Sequence, residues 1–146
     1  MKQFIILGIG LVFMLAACTD TEETINMSNI DEHLGKSDVQ YVELREVSEM
    51  ATAGYIEGFE IIPFHSVIIG TSLLHLPDNY QFHANHILDE EGIYALFDRD
   101  KTIFLSCRTG NRTSFMAAAL EHLGYEVVNV GGIVDYRGIN RVYPSS

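Results

Sequence analysis

The sequence predicts an α/β fold, a single domain with a mostly parallel central sheet and helices on both faces. Three observations carry that expectation. Short apolar runs alternate with amphipathic stretches along the chain, as strand–helix–strand units require. With 146 residues and 47% apolar composition, the chain is long enough for one domain that builds its own core without disulfide help. The apolar run 102–106 leads into Cys107, a short polar loop and a helix-like segment, and ligands of parallel sheets gather at such carboxyl ends of strands.

Taken in order, residues 25–27 read as a short edge strand. Residues 29–34 read as a short helix with Ser28 as N-cap, Ile30 and Leu34 on one face and Gly35 as its stop. Residues 39–44 read as a buried strand, 45–53 as a helix stopped by Gly54, and 59–63 as a second strand. Residues 64–86 mix apolar residues and turn signals without a single period. Asp89 then caps a helix whose inner face is Ile93, Leu96 and Phe97. After the strand 102–106 and the loop, residues 114–123 carry the stripe Phe115, Met116, Ala119, Leu120 and Leu123, with Gly124 at the C′ position. A strand at 127–130, a tight turn at Gly131-Gly132 and a partial helix at 133–137 complete the chain.

Acidic residues outnumber basic ones 20 to 9, for a formal net charge of -11, which argues against nucleic acid as a partner. Residues 1–17 have the layout of an export signal: Lys2, an apolar run from Phe4 to Leu15 that is short for a membrane span, then the small Ala16 and Ala17. Leu15-Ala16-Ala17-Cys18 resembles a bacterial lipobox. That resemblance implies lipidation of Cys18 (palmitate among the acyl groups), an acidic tether over residues 18–24 and a domain over 25–146. It also implies a cell-envelope protein anchored to a membrane on the extracytoplasmic side. The chain has two cysteines, so with Cys18 acylated, Cys107 is the one remaining thiol. An unpaired thiol in an exported compartment is a liability unless it is used.

The candidate site is Cys107-Arg108-Thr109-Gly110-Asn111-Arg112-Thr113. Loop amides and first-turn N–H groups have no intrahelical partners, so they form an anion-binding nest at the positive end of a helix dipole. That setting favours thiolate over thiol. Arg108 and Arg112 add positive charge, and Cys107 is the expected nucleophile. Gly110 is expected to permit close backbone approach.

Three blocks resemble the single-domain rhodanese (sulfurtransferase) family. Tyr41-Val42-Glu43-Leu44-Arg45-Glu46 is similar to that family's strand ending in Asp-Val-Arg. Residues 54–63, Gly54-Tyr55-Ile56-Glu57-Gly58-Phe59-Glu60-Ile61-Ile62-Pro63, are similar to its Gly-His-Ile-x-Gly-Ala-x-Asn-Ile-Pro. The third block runs from Cys107 through Gly110 and Arg112 to Gly131-Gly132-Ile133, with Tyr136 where Trp is usual. Glu43, Tyr55 and Phe59 depart from the pattern, and the stretch between Pro63 and Lys101 is longer than is common. The resemblance implies a sulfurtransferase: Cys107 takes a sulfane sulfur from a small sulfur-containing anion such as thiosulfate, and a thiol or other thiophilic acceptor removes it. Residues 108–113 would stabilise donor and persulfide, Arg45 would support the loop, and neither a metal nor an organic cofactor is implied.

Two other readings compete. Cysteine-dependent phosphatases and arsenate reductases place five residues between the cysteine and the arginine that clamps the oxyanion, whereas four separate Cys107 from Arg112. The other is a non-turnover sulfur carrier or protein-docking module on the same fold. Of the histidines in the middle segment, His65, His75, His83 and His86, the pair His83 and His86 has a chelating spacing but no completing ligands, so packing or surface roles are expected.

Overall fold

A computed structural model describes residues 23–144. The expected export signal, Cys18 and all but the last residues of the expected tether lie outside the described residues. The elements are β1 (Val39–Glu43), α1 (Val47–Ala53), β2 (Tyr55–Ile56), β3 (Glu60–Ile61), α2 (Glu90–Leu96), β4 (Thr102–Cys107), α3 (Asn111–His122), β5 (Val127–Gly132) and β6 (Arg141–Val142), joined by short 3₁₀ and π turns. Four strands form the central sheet in the order β3-β1-β4-β5, and all its pairings are parallel.

Both faces of this sheet are covered, so its central strands bury side chains on both sides, with Gln40 and Glu43 interrupting the apolar residues of β1 and Thr102 and Ser106 flanking the apolar centre of β4. Period-two alternation divides the core. Val42, Leu44, Ile103, Leu105 and Cys107 point into one half, where α2 adds Ile93 and α3 adds Phe115, Met116, Ala119 and Leu120. Val39, Tyr41, Phe104 and Val130 point into the other. Its helical cover consists of the single 3₁₀ turns Ile30–His33 and Ile133–Asp135, which supply Ile30 and Ile133.

Several expected elements change. Residues 25–27 form no strand. The Asn29 side chain accepts from the Asn26 N–H at 2.8 Å and the Asn26 side chain accepts from the Ser28 N–H at 2.9 Å, so local turns take the groups a strand would pair. The N-cap of the turn that follows is Asn29, not Ser28. The helix expected from Arg45 starts at Val47, because Glu46 caps it in a reciprocal box with Glu49. Helix α3 starts three residues earlier than the expected residue 114, at Asn111. Gly131 and Gly132 are not a turn but the end of β5, where a bulge sets Ser106 opposite Gly131 and Cys107 opposite Gly132. The strand at 59–63 shrinks to Glu60–Ile61, and the partial helix at 133–137 to one 3₁₀ turn. The antiparallel pair β2–β6, unforeseen, draws the C-terminal segment back beside α1.

The aperiodic middle segment is a cover for α3. It opens with a π turn, Phe64–Ile69, that buries Phe64 and Ile68, and it closes with the bridge between Leu74 and Ile87. Phe64, Tyr80, Phe82 and His86 ring Phe115, with centroids 5.9, 6.4, 5.8 and 6.2 Å from it.

Candidate functional site

Cys107 is the last residue of β4 and its side chain is 1% exposed. The chain then passes over the edge of β5 and enters α3 through Gly110. The Gly110 N–H donates to Cys107 Sγ at 3.1 Å, an interaction that stabilises charge on sulfur. The Thr113 hydroxyl lies 3.8 Å from Sγ and donates to the Gly110 carbonyl at 2.8 Å, so the thiol is the donor toward Thr113. Arg108, Thr109 and Asn111 are exposed at the loop's outer surface.

Two glycines shape this path, for different reasons. Gly110 has φ of 107°, a left-handed conformation, yet a Cβ there would meet nothing within 4 Å. Within the protein its contribution is conformational freedom, and the close packing of two backbone segments lies at the other glycine. The close approach occurs at Gly132, where a Cβ would press on the Arg108 carbonyl oxygen and lie 2.6 Å from Thr109 Cα. The end of β5 thus seats the loop, and the Val134 N–H holds it by donating to the Arg108 carbonyl at 3.3 Å.

Arg112 does not point freely into the loop. Both terminal nitrogens of its guanidinium grip Glu49 of α1, at 2.7 and 2.8 Å. The hydrogen bonds from Arg112 hold the Glu49 carboxyl down at about 2, against a desolvation that pushes it up and with help from the Glu46 N–H. The hydrogen bonds to Glu49 in turn raise the pKa of Arg112, against its own burial. Glu46, the other half of the capping box, also accepts from the His65 N–H at 2.8 Å and the Ser66 hydroxyl at 2.6 Å. Loop, α1 and the start of the middle segment are therefore joined through two glutamates.

Arg45 touches no residue of the loop through a hydrogen bond. It is 1% exposed, pairs with Glu43 at 3.0 Å and donates to the Gly54 carbonyl at 2.7 Å. Glu43 in turn accepts from the Ser106 hydroxyl at 3.2 Å, so Arg45 braces the residue before the cysteine at one remove. A cleft of about 320 Å3 lies beside the loop, walled by Arg108, Glu49, Ala53 and Val134, with Arg45 and Ile133 beneath. On the loop's other side, Gly110, Asn129 and Asp135 border a second hollow of about 330 Å3.

The structure thus brings Cys107, Gly110 and Thr113 together, leaves Arg108, Thr109 and Asn111 outward, and ties Arg112 to a partner that the loop sequence does not reveal. Glu49 and Gly132 are the site-shaping residues missed from sequence. The spacing of Glu46 and Glu49 signals a capping box, but only the fold shows that Glu49 also meets Arg112. Of the histidines, His75 and His83 flank His86 with ring centroids 5.6 and 5.5 Å away. Desolvation, then the neighbouring His83 and His75, lowers the pKa of His86. Among the described residues no three His, Cys, Asp or Glu side chains are grouped to hold a metal ion.

A parallel α/β sheet that presents a cysteine at the end of a central strand, followed by a short loop into a helix, places that thiol at the strand ends where ligands of such sheets bind. The sequence profile of the Rhodanese-like domain matches residues 27–138, and the chain belongs to that family. Two solved structures share the fold. A rhodanese-like domain protein from Staphylococcus aureus is 23% identical, with a TM-score of 0.53, over 80% of this chain and 91% of its own. A protein from Staphylococcus saprophyticus subsp. saprophyticus is 24% identical, with a TM-score of 0.50, over 77% of this chain and 93% of its own. No curated protein sequence matches the chain.

Proposed function

We propose that the protein is a sulfurtransferase in which Cys107 accepts a sulfane sulfur and passes it to a thiophilic acceptor. The observation that carries this reading is the Gly110 N–H on Cys107 Sγ at 3.1 Å, within the loop of a rhodanese-like domain. The Cys107 thiolate attacks the outer sulfur of the donor, the donor's S–S bond breaks, and its inner sulfur leaves with the electron pair. The persulfide on Cys107 keeps the amide contact as its charge moves one atom outward, and the acceptor's attack restores the thiolate. With thiosulfate the leaving group is sulfite.

The 1% exposure of Cys107 supports one second reading, a carrier that loads sulfur and releases it slowly on docking. A phosphatase reading is disfavoured, since the Arg112 fork that would clamp a tetrahedral oxyanion is taken by Glu49. Intact mass after incubation with thiosulfate or an alkyl persulfide, for wild type and Cys107→Ser, tests the assignment. One added sulfur on the wild type alone is expected, and its absence from reduced wild type with both donors rejects the reading. Thiocyanate release in the presence of cyanide then separates enzyme from carrier.

We further propose export and lipid anchoring through Cys18, on the strength of Leu15-Ala16-Ala17-Cys18 and the short apolar run before it. Detergent partitioning of Cys18→Ala against wild type tests this, and equal partitioning argues against the anchor.

A further inference from the structure

Resting on the sulfurtransferase reading, we infer that Glu49 is a specificity-determining residue that turns the site away from dianionic donors such as thiosulfate and toward a small aliphatic persulfide of low charge. The inference starts from the cations around the loop. Arg45 is paired with Glu43 and Arg112 is gripped by Glu49 through both nitrogens. Arg108 is exposed and makes no ion pair among the described residues, so it is the one cation of this group without a carboxylate partner. The chain as a whole carries a net charge of -11, which repels anions in proportion to their charge.

The two donor types place different demands on such a site. Thiosulfate arrives with two negative charges and its sulfite leaves with two, and one unpaired arginine beside an amide nest offsets only part of that. A persulfide reacts as R–S–S–H plus the Cys107 thiolate to give Cys107–S–S–H plus R–S⁻. The bond between the two donor sulfurs breaks, one S–S bond forms on Cys107, and the leaving thiolate carries a single charge. No oxidant or reductant is consumed. Arg108 matches that single charge.

The cleft beside Arg108 supplies what an inorganic donor has no use for, a place for carbon. Ala53, Ile133 and Val134 line it, and Val134 is 46% exposed although it is apolar. Its volume of about 320 Å3 is at the small end of ligand pockets, which run from roughly 300 to 1,000 Å3, so the stem R belongs to a small thiol. Glu49 stands on the wall of the same cleft, where a second negative charge on the donor would meet it.

The test is the rate at which Cys107 gains one sulfur, followed by intact mass under single turnover. The donors are thiosulfate and the persulfide of N-acetylcysteine methyl ester, each normalised to its rate with free cysteine. The expected result is a normalised persulfide rate at least about tenfold above the thiosulfate rate in the wild type. Glu49→Gln frees part of the Arg112 charge and narrows that ratio by accelerating thiosulfate. Val134→Ser, at an exposed position where the fold is not at stake, narrows it from the other side by slowing the persulfide. A wild-type ratio at or below one, or a ratio that Glu49→Gln leaves unmoved, overturns the inference while leaving sulfur transfer standing. No adduct on the wild type with either donor overturns both.

Discussion

Glu49 and Arg112 meet in a two-pronged ion pair, Oε2 to one terminal nitrogen at 2.7 Å and Oε1 to the other at 2.8 Å, and this pair ties helix α1 to the start of the helix behind Cys107. Both side chains are mostly buried, at 27% and 12% exposure, so the pair is worth more than a surface contact. With its folded-state pKa near 2 against an ordinary 4.5, Glu49 contributes stability that is fully present above pH 4.5 and is lost as pH falls toward 2. Glu49→Gln is expected to lower stability at neutral pH by roughly 1.5–3 kcal/mol, the worth of hydrogen bonds to charged groups. In urea unfolding the gap between wild type and variant should close as pH descends through that window. A gap of constant size down to the acid end would show that the variant acts through packing or the helix cap instead of the charge.

The Glu43–Arg45 pair lies deeper, with both side chains 1% exposed, and Glu43 also takes the Ser106 hydroxyl. Removing one partner strands the other charge in the core. Arg45→Leu is therefore expected to cost about 3–5 kcal/mol, and Glu43→Leu with Arg45→Leu together much less than the sum. Chemical denaturation of both singles and the double variant checks this. Additive losses would mean that the two charges do not depend on each other.

Gly110 and Gly132 should respond to alanine in different ways. At Gly110 there is space for a methyl group but the left-handed backbone is strained, so Gly110→Ala is expected to cost roughly 1–2 kcal/mol. The loop can keep its course. At Gly132 the methyl group would strike the backbone of Arg108 and Thr109, which cannot yield as a flexible side chain does. Gly132→Ala should displace the loop and slow sulfur loading of Cys107 by more than Gly110→Ala does. Loading rates for the two variants, measured beside their melting temperatures, decide the matter, and the reverse ranking would contradict this account of the loop.

Those contrasts also mark what was legible in the sequence. The two central strands were readable because β4 has the buried apolar centre Ile103-Phe104-Leu105 and β1 buries Val39, Tyr41 and Val42 on its two faces, and the Asp89 cap, read from its place before the apolar stripe, is seen in its side chain accepting from the Gly92 N–H at 3.0 Å. The loop's cysteine, glycine and arginine stood out by type and spacing. What the residues did not disclose was direction and distance. Arg112 carries the same charge whether it faces solvent, a ligand or Glu49, and its partner is 63 positions away. Gly131 and Gly132 looked like a turn because a bulge at the end of a strand uses the same residue. The middle segment had no period because it is a π turn and a set of aromatic anchors, each placed by Phe115 and not by a repeat along its own chain.

That dependence on Phe115 gives the last prediction. Phe115 is 1% exposed and sits one turn beyond the start of α3, with Phe64, Tyr80, Phe82 and His86 packed around it. Phe115→Ala is expected to destabilise the fold by about 3–5 kcal/mol, since four rings lose their shared contact and the site cannot collapse onto a methyl group. The loss should not spread evenly. The backbone bonds of the middle segment run mostly within the segment itself, among them the His75 N–H to the His86 carbonyl at 2.8 Å and the Leu88 N–H to the Leu73 carbonyl at 3.0 Å. The N–H groups of β4 lie instead in the centre of a parallel sheet. Native-state hydrogen exchange of Phe115→Ala should therefore show the amides of His75 and Leu88 opening well before those of Phe104 and Leu105. If all four accelerate together, the segment is not a separate unit seated on Phe115 but part of the same cooperative core as the strand that carries Cys107.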